Sequence, residues 1–172
     1  SDKLGSYQIV GDRIEAQLGD GAGAVANITD ATDDIIINGN SITKTIDVLA
    51  SDSAQQVASK INTSSGETGV SAEAKTFALL SSEYATDQTY SVRINNKTTG
   101  SFVISNSNVV DAVDKINSIS GSTGVTAKAT TDNKVELYSS TGADISVENE
   151  SALTALRVQS LGHDASAEFP GM

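Results

Sequence analysis

A stretch of twenty residues occurs twice in this sequence, at 53–72 and again at 108–127. The residues that recur at a constant offset are Lys60, Ile61, Asn62, Gly66, Gly69, Val70 and Ala72 in the first copy, and Lys115, Ile116, Asn117, Gly121, Gly124, Val125 and Ala127 in the second. A fixed offset with matching residue types is typical of an internal repeat. We therefore expect the chain to build the same small unit twice.

Each copy begins with the pattern of a short amphipathic helix. Apolar residues follow the spacing i, i+3, i+4, i+7, which places them on one helix face; they are Ala54, Val57, Ala58 and Ile61, and then Val109, Ala112, Val113 and Ile116. Ser53 and Asn108 are the predicted N-caps, and Gln56 completes a capping box with Ser53. Because helices this short are marginal alone, their stability depends on packing of the apolar face.

Strands are predicted on both sides of each helix. Period-two alternation predicts them at 69–74 and 125–130 after the helices, and the similar segments 77–82 and 135–140 follow. The dipeptide Asn38-Gly39 predicts a hairpin turn, because both residues tolerate positive φ. The sequence therefore predicts an α+β fold of two small β-rich units of β-β-α-β-β type. Each would be a short amphipathic helix packed on an antiparallel sheet, with extra strands from the N-terminal segment.

The repeat also predicts two domains. Residues 1–87 would hold the N-terminal strands and the first repeat (34–86), and residues 88–172 the second repeat (88–149) and a C-terminal tail. Candidate N-terminal strands are Tyr7–Val10 and Arg13–Ala16. The chain starts at Ser1 rather than Met, and we interpret it as an excised fragment.

Composition excludes several classes of function. The net charge is −11 and the 11 basic residues are scattered, whereas nucleic-acid binding needs clustered Lys and Arg. Neither nucleic acid nor membrane is therefore a predicted partner. Cys is absent, which excludes disulfides, thiol catalysis and thiolate-bound metals. No apolar run is long enough for a membrane helix.

No catalytic, cofactor-binding or metal site is predicted, and we expect a protein that is not an enzyme. His163 is the single histidine and lies in the thin C-terminal tail, so no Ser-His-Asp triad is expected within reach of a core. With no Cys, one histidine is also too few for a zinc site. The triplet Gly19-x-Gly21-x-Gly23 lacks the βαβ setting of a dinucleotide fingerprint. The cluster Asp30, Asp33 and Asp34 lacks the spacing of an EF-hand loop and is interpreted as a solvated turn.

Four triplets match the N-glycosylation pattern, at Asn27, Asn62, Asn96 and Asn149. In a chain this rich in Asn, Ser and Thr, that number is near the chance expectation. For Asn62 we predict a structural role at the end of the first helix.

The repeated unit resembles the IN-type motif of bacterial flagellins and hook-associated proteins. The resemblance rests on Ile36-Ile37-Asn38-Gly39, on the helix pattern ending Lys60-Ile61-Asn62, and on Gly66-x-Thr68-Gly69-Val70-x-Ala72. The second copy matches from Lys115 to Ala127 but opens with Ile94-Asn95-Asn96 instead of Ile-Asn-Gly. Together the copies cover roughly residues 34–149.

The resemblance implies a structural protein: the surface-exposed outer domains of flagellin, the subunit of the extracellular filament used for motility. Its partners would be other flagellin subunits, with antibodies or glycans as further partners, and the helical ends that polymerise are missing here. The alternatives are the head of a filament cap or hook–filament junction protein that binds flagellin, and a carbohydrate-binding or adhesive β module. The last would need exposed aromatic residues, and the chain has four Tyr and three Phe.

Overall fold

The computed structural model describes residues 29–153 and 155–161. In chain order the elements are β1 (Ile35–Gly39), β2 (Ile42–Ile46), α1 (Ala54–Thr63), α2 (Ser65–Thr68), β3 (Thr76–Ser82), β4 (Gln88–Ile94), β5 (Lys97–Ile104), α3 (Val110–Ser118), α4 (Ser120–Thr123), β6 (Thr126–Ala129), β7 (Val135–Ser139), β8 (Val147–Asn149) and β9 (Leu156–Leu161). Short helices pack against antiparallel sheets, so the predicted α+β class is confirmed. The strands predicted at 7–10 and 13–16 lie outside the described residues.

The two longer helices start differently. Ser53 caps α1 with the predicted capping box, in which the Gln56 side chain accepts a hydrogen bond from the Ser53 amide at 2.8 Å. In the second copy the prediction that Asn108 is the N-cap is wrong, because α3 begins at Val110 and Val109 is its cap. The Asn108 carbonyl instead accepts from the Ser105 amide at 2.9 Å, which keeps Asn108 in the preceding turn.

The first hairpin turns two residues later than its sequence predicts. The turn residues are Asn40 and Ser41, both with positive φ, while Asn38 and Gly39 lie inside β1. A Cβ atom at Gly39 would overlap the carbonyl oxygen of Thr68, so this glycine allows α2 to approach the strand. The second hairpin turns at the equivalent positions, Asn95 and Asn96, and its different opening does not change the turn.

One sheet combines strands from both copies. Its order is β6-β7-β3-β9, so β3 of the first copy has β7 on one edge and β9 on the other. The strand predicted at 69–74 does not form, whereas its counterpart β6 pairs with the outer edge of β7. The corresponding edge of β3 is occupied by β9, and this leaves the first copy's segment without a strand to pair with.

Two apolar cores lie under the sheets. The smaller one contains Ile37, Ile46, Val48, Val57 and Ile61, between α1 and the two-stranded sheet of β1 and β2. The larger one lies between α3, the three-stranded sheet β5-β4-β8 and the inner face of the four-stranded sheet. Its largest fully buried side chains are Tyr90, Phe102, Leu80, Ile94, Ile104, Ile116 and Leu137.

Candidate functional site

The acidic residues near the start of the described chain serve its turns. Asp30 accepts hydrogen bonds from the amide and hydroxyl of Thr32, at 2.9 and 3.0 Å. The hydrogen bond from the Thr32 amide is the main cause that lowers the pKa of Asp30 below its usual value. Asp34 accepts from the Val48 amide at 3.0 Å and so ties the first strand to the end of β2. These contacts are those of a structured turn.

An asparagine at the end of each longer helix holds the chain that follows. The Asn62 side chain donates to the Ala72 carbonyl and accepts from the Ala72 amide, both at 2.8 Å. Asn117 makes the same two bonds with Ala127, at 2.9 and 2.8 Å. The side-chain amide thus takes the place of a neighbouring strand. This is the structural role predicted for Asn62.

A threonine and a glycine end each short helix that follows. Thr68 and Thr123 are buried, and their hydroxyls accept from the amides of Val70 and Val125 at 3.2 and 3.1 Å. Gly69 and Gly124 adopt left-handed φ values of 72° and 71°, as expected at a helix C-terminus. The repeated residues therefore build a helix–turn framework and do not form a reactive centre.

A buried carboxylate is present in the first copy only. Asp52 is 5% exposed, accepts from the Leu49 amide at 2.8 Å and pairs with the Lys60 ammonium. The hydrogen bond from Lys60, supported by the Leu49 amide, lowers the pKa of Asp52. Ser107 stands at the equivalent position of the second copy, so this ion pair distinguishes the two copies.

A polar network covers the outer face of the three-stranded sheet. The Arg93 guanidinium contacts Glu150 at 2.8 Å and Glu148 at 3.5 Å. Hydroxyls of Thr98 and Ser91 donate to Glu150 at 2.7 and 3.1 Å. The Thr98 bond is the largest of the causes that lower the pKa of Glu150. These groups fasten β8 and the residues after it to β4.

Besides the shared sheet, the two copies also meet at a loop after β7. The Gln55 amide at the start of α1 donates to the Gly142 carbonyl at 2.9 Å. Gly142 is buried with φ 75°, and a Cβ atom there would overlap the Cβ of Ala74. The first copy's helix and the segment after it therefore rest directly on the second copy.

A shallow groove of about 360 Å³ lies on the outer face of the four-stranded sheet. Phe77 and Tyr138 are register partners on β3 and β7, and their rings stack with centroids 4.9 Å apart. Lys75, Thr126, Ala127, Lys128 and Glu136 complete its lining. Sequence reasoning missed this groove, although alternation along 77–82 and 135–140 places both aromatic residues opposite the buried side of the strands.

The remaining predicted positions divide between the described and undescribed parts of the chain. His163, the triplet Gly19-x-Gly21-x-Gly23 and Asn27 lie outside the described residues. Asn149 uses its side chain within the fold, donating to the Leu153 carbonyl at 2.6 Å and accepting from the Ser151 amide at 2.9 Å. Asn96 lies exposed in the β4–β5 turn.

Two negative findings apply to residues 29–153 and 155–161. These residues contain no group of three or more His, Cys, Asp or Glu arranged to hold a metal ion. None of their helices has the length and apolar character needed to cross a membrane.

Comparison with known proteins gives one family match. Residues 34–81 match the flagellin hook IN motif. The matched segment runs from the residue before β1 through α1 and α2 into β3, and it lies within the first copy of the repeat. None of the curated proteins matches the chain. The flagellin-type motif inferred from the sequence is thus confirmed for the first copy.

Proposed function

We propose that this chain forms the surface-exposed outer domains of bacterial flagellin and has no catalytic role. The observation that carries the proposal is the match of residues 34–81 to the flagellin hook IN motif. Under this proposal the chain is displayed on the extracellular filament, and its partners are other flagellin subunits. The division into units 1–87 and 88–172 belongs to the same proposal, with the shared sheet as the contact between them.

The contacts within the described residues support a structural role. The residues that recur in both copies hold helix ends and following segments through their own side chains. The charged groups on the three-stranded sheet pair with one another. A net charge of −11 disfavours self-association of the segment alone, because like charges repel.

The proposal is tested by deleting residues 34–149 from the parent gene and joining the flanks with a short Gly/Ser linker. Filaments of normal length that no longer bind antibodies raised against this segment would agree with the proposal. The matched control replaces the same residues with an unrelated folded domain of similar size, which distinguishes loss of this surface from loss of bulk.

The alternative of a cap or junction protein predicts a different result. A head that binds flagellin during assembly is needed for growth, so its deletion would leave the cells with absent or stunted filaments. That outcome would reject the outer-domain proposal and favour the alternative.

A further inference from the structure

We propose that the groove between Lys75 and Lys128 binds a saccharide that carries a carboxylate. The floor of the groove is the stacked pair Phe77 and Tyr138, whose ring centroids are 4.9 Å apart. This inference concerns binding and does not depend on the role proposed above.

The aromatic floor selects for a ring with an apolar face. Phe77 and Tyr138 are only half-buried, although they lie near the middle of the sheet face. Stacking covers one face of each ring. The face that remains free carries partial negative charge, which attracts the weakly positive C–H groups on one side of a pyranose. Thr126 is the register partner of Tyr138 and extends the same row with a hydroxyl group. The row thus offers an apolar platform with a polar end.

The charges beside the floor select for an anion. Two of the 11 basic residues of this acidic chain, Lys75 and Lys128, line the groove with one carboxylate, Glu136. Lys128 contacts Glu136 at 3.3 Å. Within the described residues Lys75 makes no ion pair, so its exposed ammonium is available to a ligand. A sugar carboxylate can reach Lys75 while the ring lies on the aromatic floor.

The geometry suits a weak site on an open surface. The groove is shallow, and apart from Lys75, which lies one residue before β3, its lining comes from β3, β7 and β6. Because these three strands belong to one sheet, the aromatic floor exists before the ligand arrives, and little of its conformational entropy is lost on binding. One or two sugar units fill a volume of about 360 Å³.

The test uses trigalacturonic acid as the probe and maltotriose as its neutral match. Amide NMR shifts of the whole 172-residue chain should move on β3, β6 and β7 with trigalacturonic acid, and much less with maltotriose. Lys75→Gln should weaken binding about fivefold, and Tyr138→Ala about tenfold through loss of stacking. Lys97→Gln and Tyr84→Ala change exposed residues of the same types outside the groove and should leave the affinity unchanged.

Two results would overturn the inference. The first is the absence of shift changes on these strands at millimolar trigalacturonic acid. The second is binding that Lys75→Gln leaves unchanged, or that is equally tight for maltotriose, since the charge would then select nothing. Lys75 is exposed, so Lys75→Gln keeps the test valid even if Tyr138→Ala fails to fold.

Discussion

Among the residues that the structure describes, α3 of the second copy packs into a core of 14 buried residues, whereas α1 of the first copy packs onto a core of five. The two copies share their helix pattern, the asparagine bonds and the left-handed glycine. They differ in their sheets, because β1 and β2 form a two-stranded sheet while β4 and β5 gain β8 as a third strand. The first copy also contributes β3 to the sheet above the larger core.

This difference shows that one local sequence pattern can support two levels of burial. The repeated residues determine the helix and the turn that follows it. Strand pairing then decides how much apolar surface each copy buries. Among the described residues, the exposed large apolar side chains are Ile36, Ile42, Leu49 and Tyr84 in the first copy and Val110 in the second. We therefore expect the first copy to be the less stable of the two and to depend on its contact with the second.

The largest expected effect is on the isoleucine that ends each helix pattern. Ile116 is fully buried in the large core and Ile61 is 8% exposed in the small one. Truncation removes apolar contacts and leaves a cavity, so Ile116→Ala should cost about 4 kcal/mol and Ile61→Ala about 2 kcal/mol of unfolding free energy. Urea melts measure both, with Ser120→Ala and Ser64→Ala expected to cost little. Equal costs for the two isoleucines would remove the proposed difference between the cores.

A smaller effect is expected at the contact between the copies. Gly142→Ala forces a Cβ atom against Ala74 at a residue with φ 75°, and should cost about 2–3 kcal/mol. Gly100→Ala is the matched control, because Gly100 has φ 68° but open space around it. It should cost about 1 kcal/mol from backbone strain alone. If both variants melt alike, Gly142 does not join the copies through close packing.

The asparagine bonds provide a third comparison. Asn62→Ala removes both side-chain bonds to Ala72, and residues 70–75 form no strand. Hydrogen exchange should therefore accelerate across the whole segment. Asn117→Ala should accelerate exchange mainly at Ala127, since β6 keeps its pairing with β7. Each of these two substitutions should lower the free energy of unfolding by about 1 kcal/mol. Asn106→Ala is the control, because Asn106 is exposed and does not have a positive φ. Acceleration across all of β6 would contradict the comparison.

The smallest effect is a pH dependence of α1 that arises from the pairing of Asp52 with Lys60. The pKa of Asp52 is lowered by Lys60 and the Leu49 amide, so its ionised form stabilises the folded state above the unfolded pKa of about 3.9. This contribution is lost as the pH falls from there through the folded pKa. The stability of α1, followed by NMR, should decrease in that range, and Asp52→Asn should abolish the decrease. If the stability of α3 decreased equally, the cause would be the charge of the whole chain and not the pair of Asp52 and Lys60.

Much of the local structure could be predicted from the sequence. The helix faces, the Ser53 capping box and the hairpins follow from patterns that act within a few residues. The position of the first turn could not be predicted from the local sequence. Gly39 lies in the strand because the Thr68 carbonyl oxygen packs against it, and Thr68 is distant in sequence. No strand forms at 69–74 because β9 pairs with that edge of β3. This pairing joins residues that are distant in sequence, and the repeat alone predicts the same strand in both copies.

The site was less predictable than the fold. The absence of Cys and the single His already argued against thiolate and zinc chemistry. The groove depends on Phe77 and Tyr138 becoming register partners across strands from different copies. The sequence predicts that Phe77 and Tyr138 lie on two similar strands, one at the end of each copy. It does not predict that these strands pair with each other, and this pairing is what brings the two rings together.

Native-state hydrogen exchange on the whole chain tests the central claim most directly. It gives an opening free energy for each protected amide, and cooperative units appear as groups of amides that open together. Amides of β1, β2 and α1 should open together at a lower free energy than those of β4, β5 and α3. A single opening free energy shared by all six elements would contradict the claim that the two copies differ in stability.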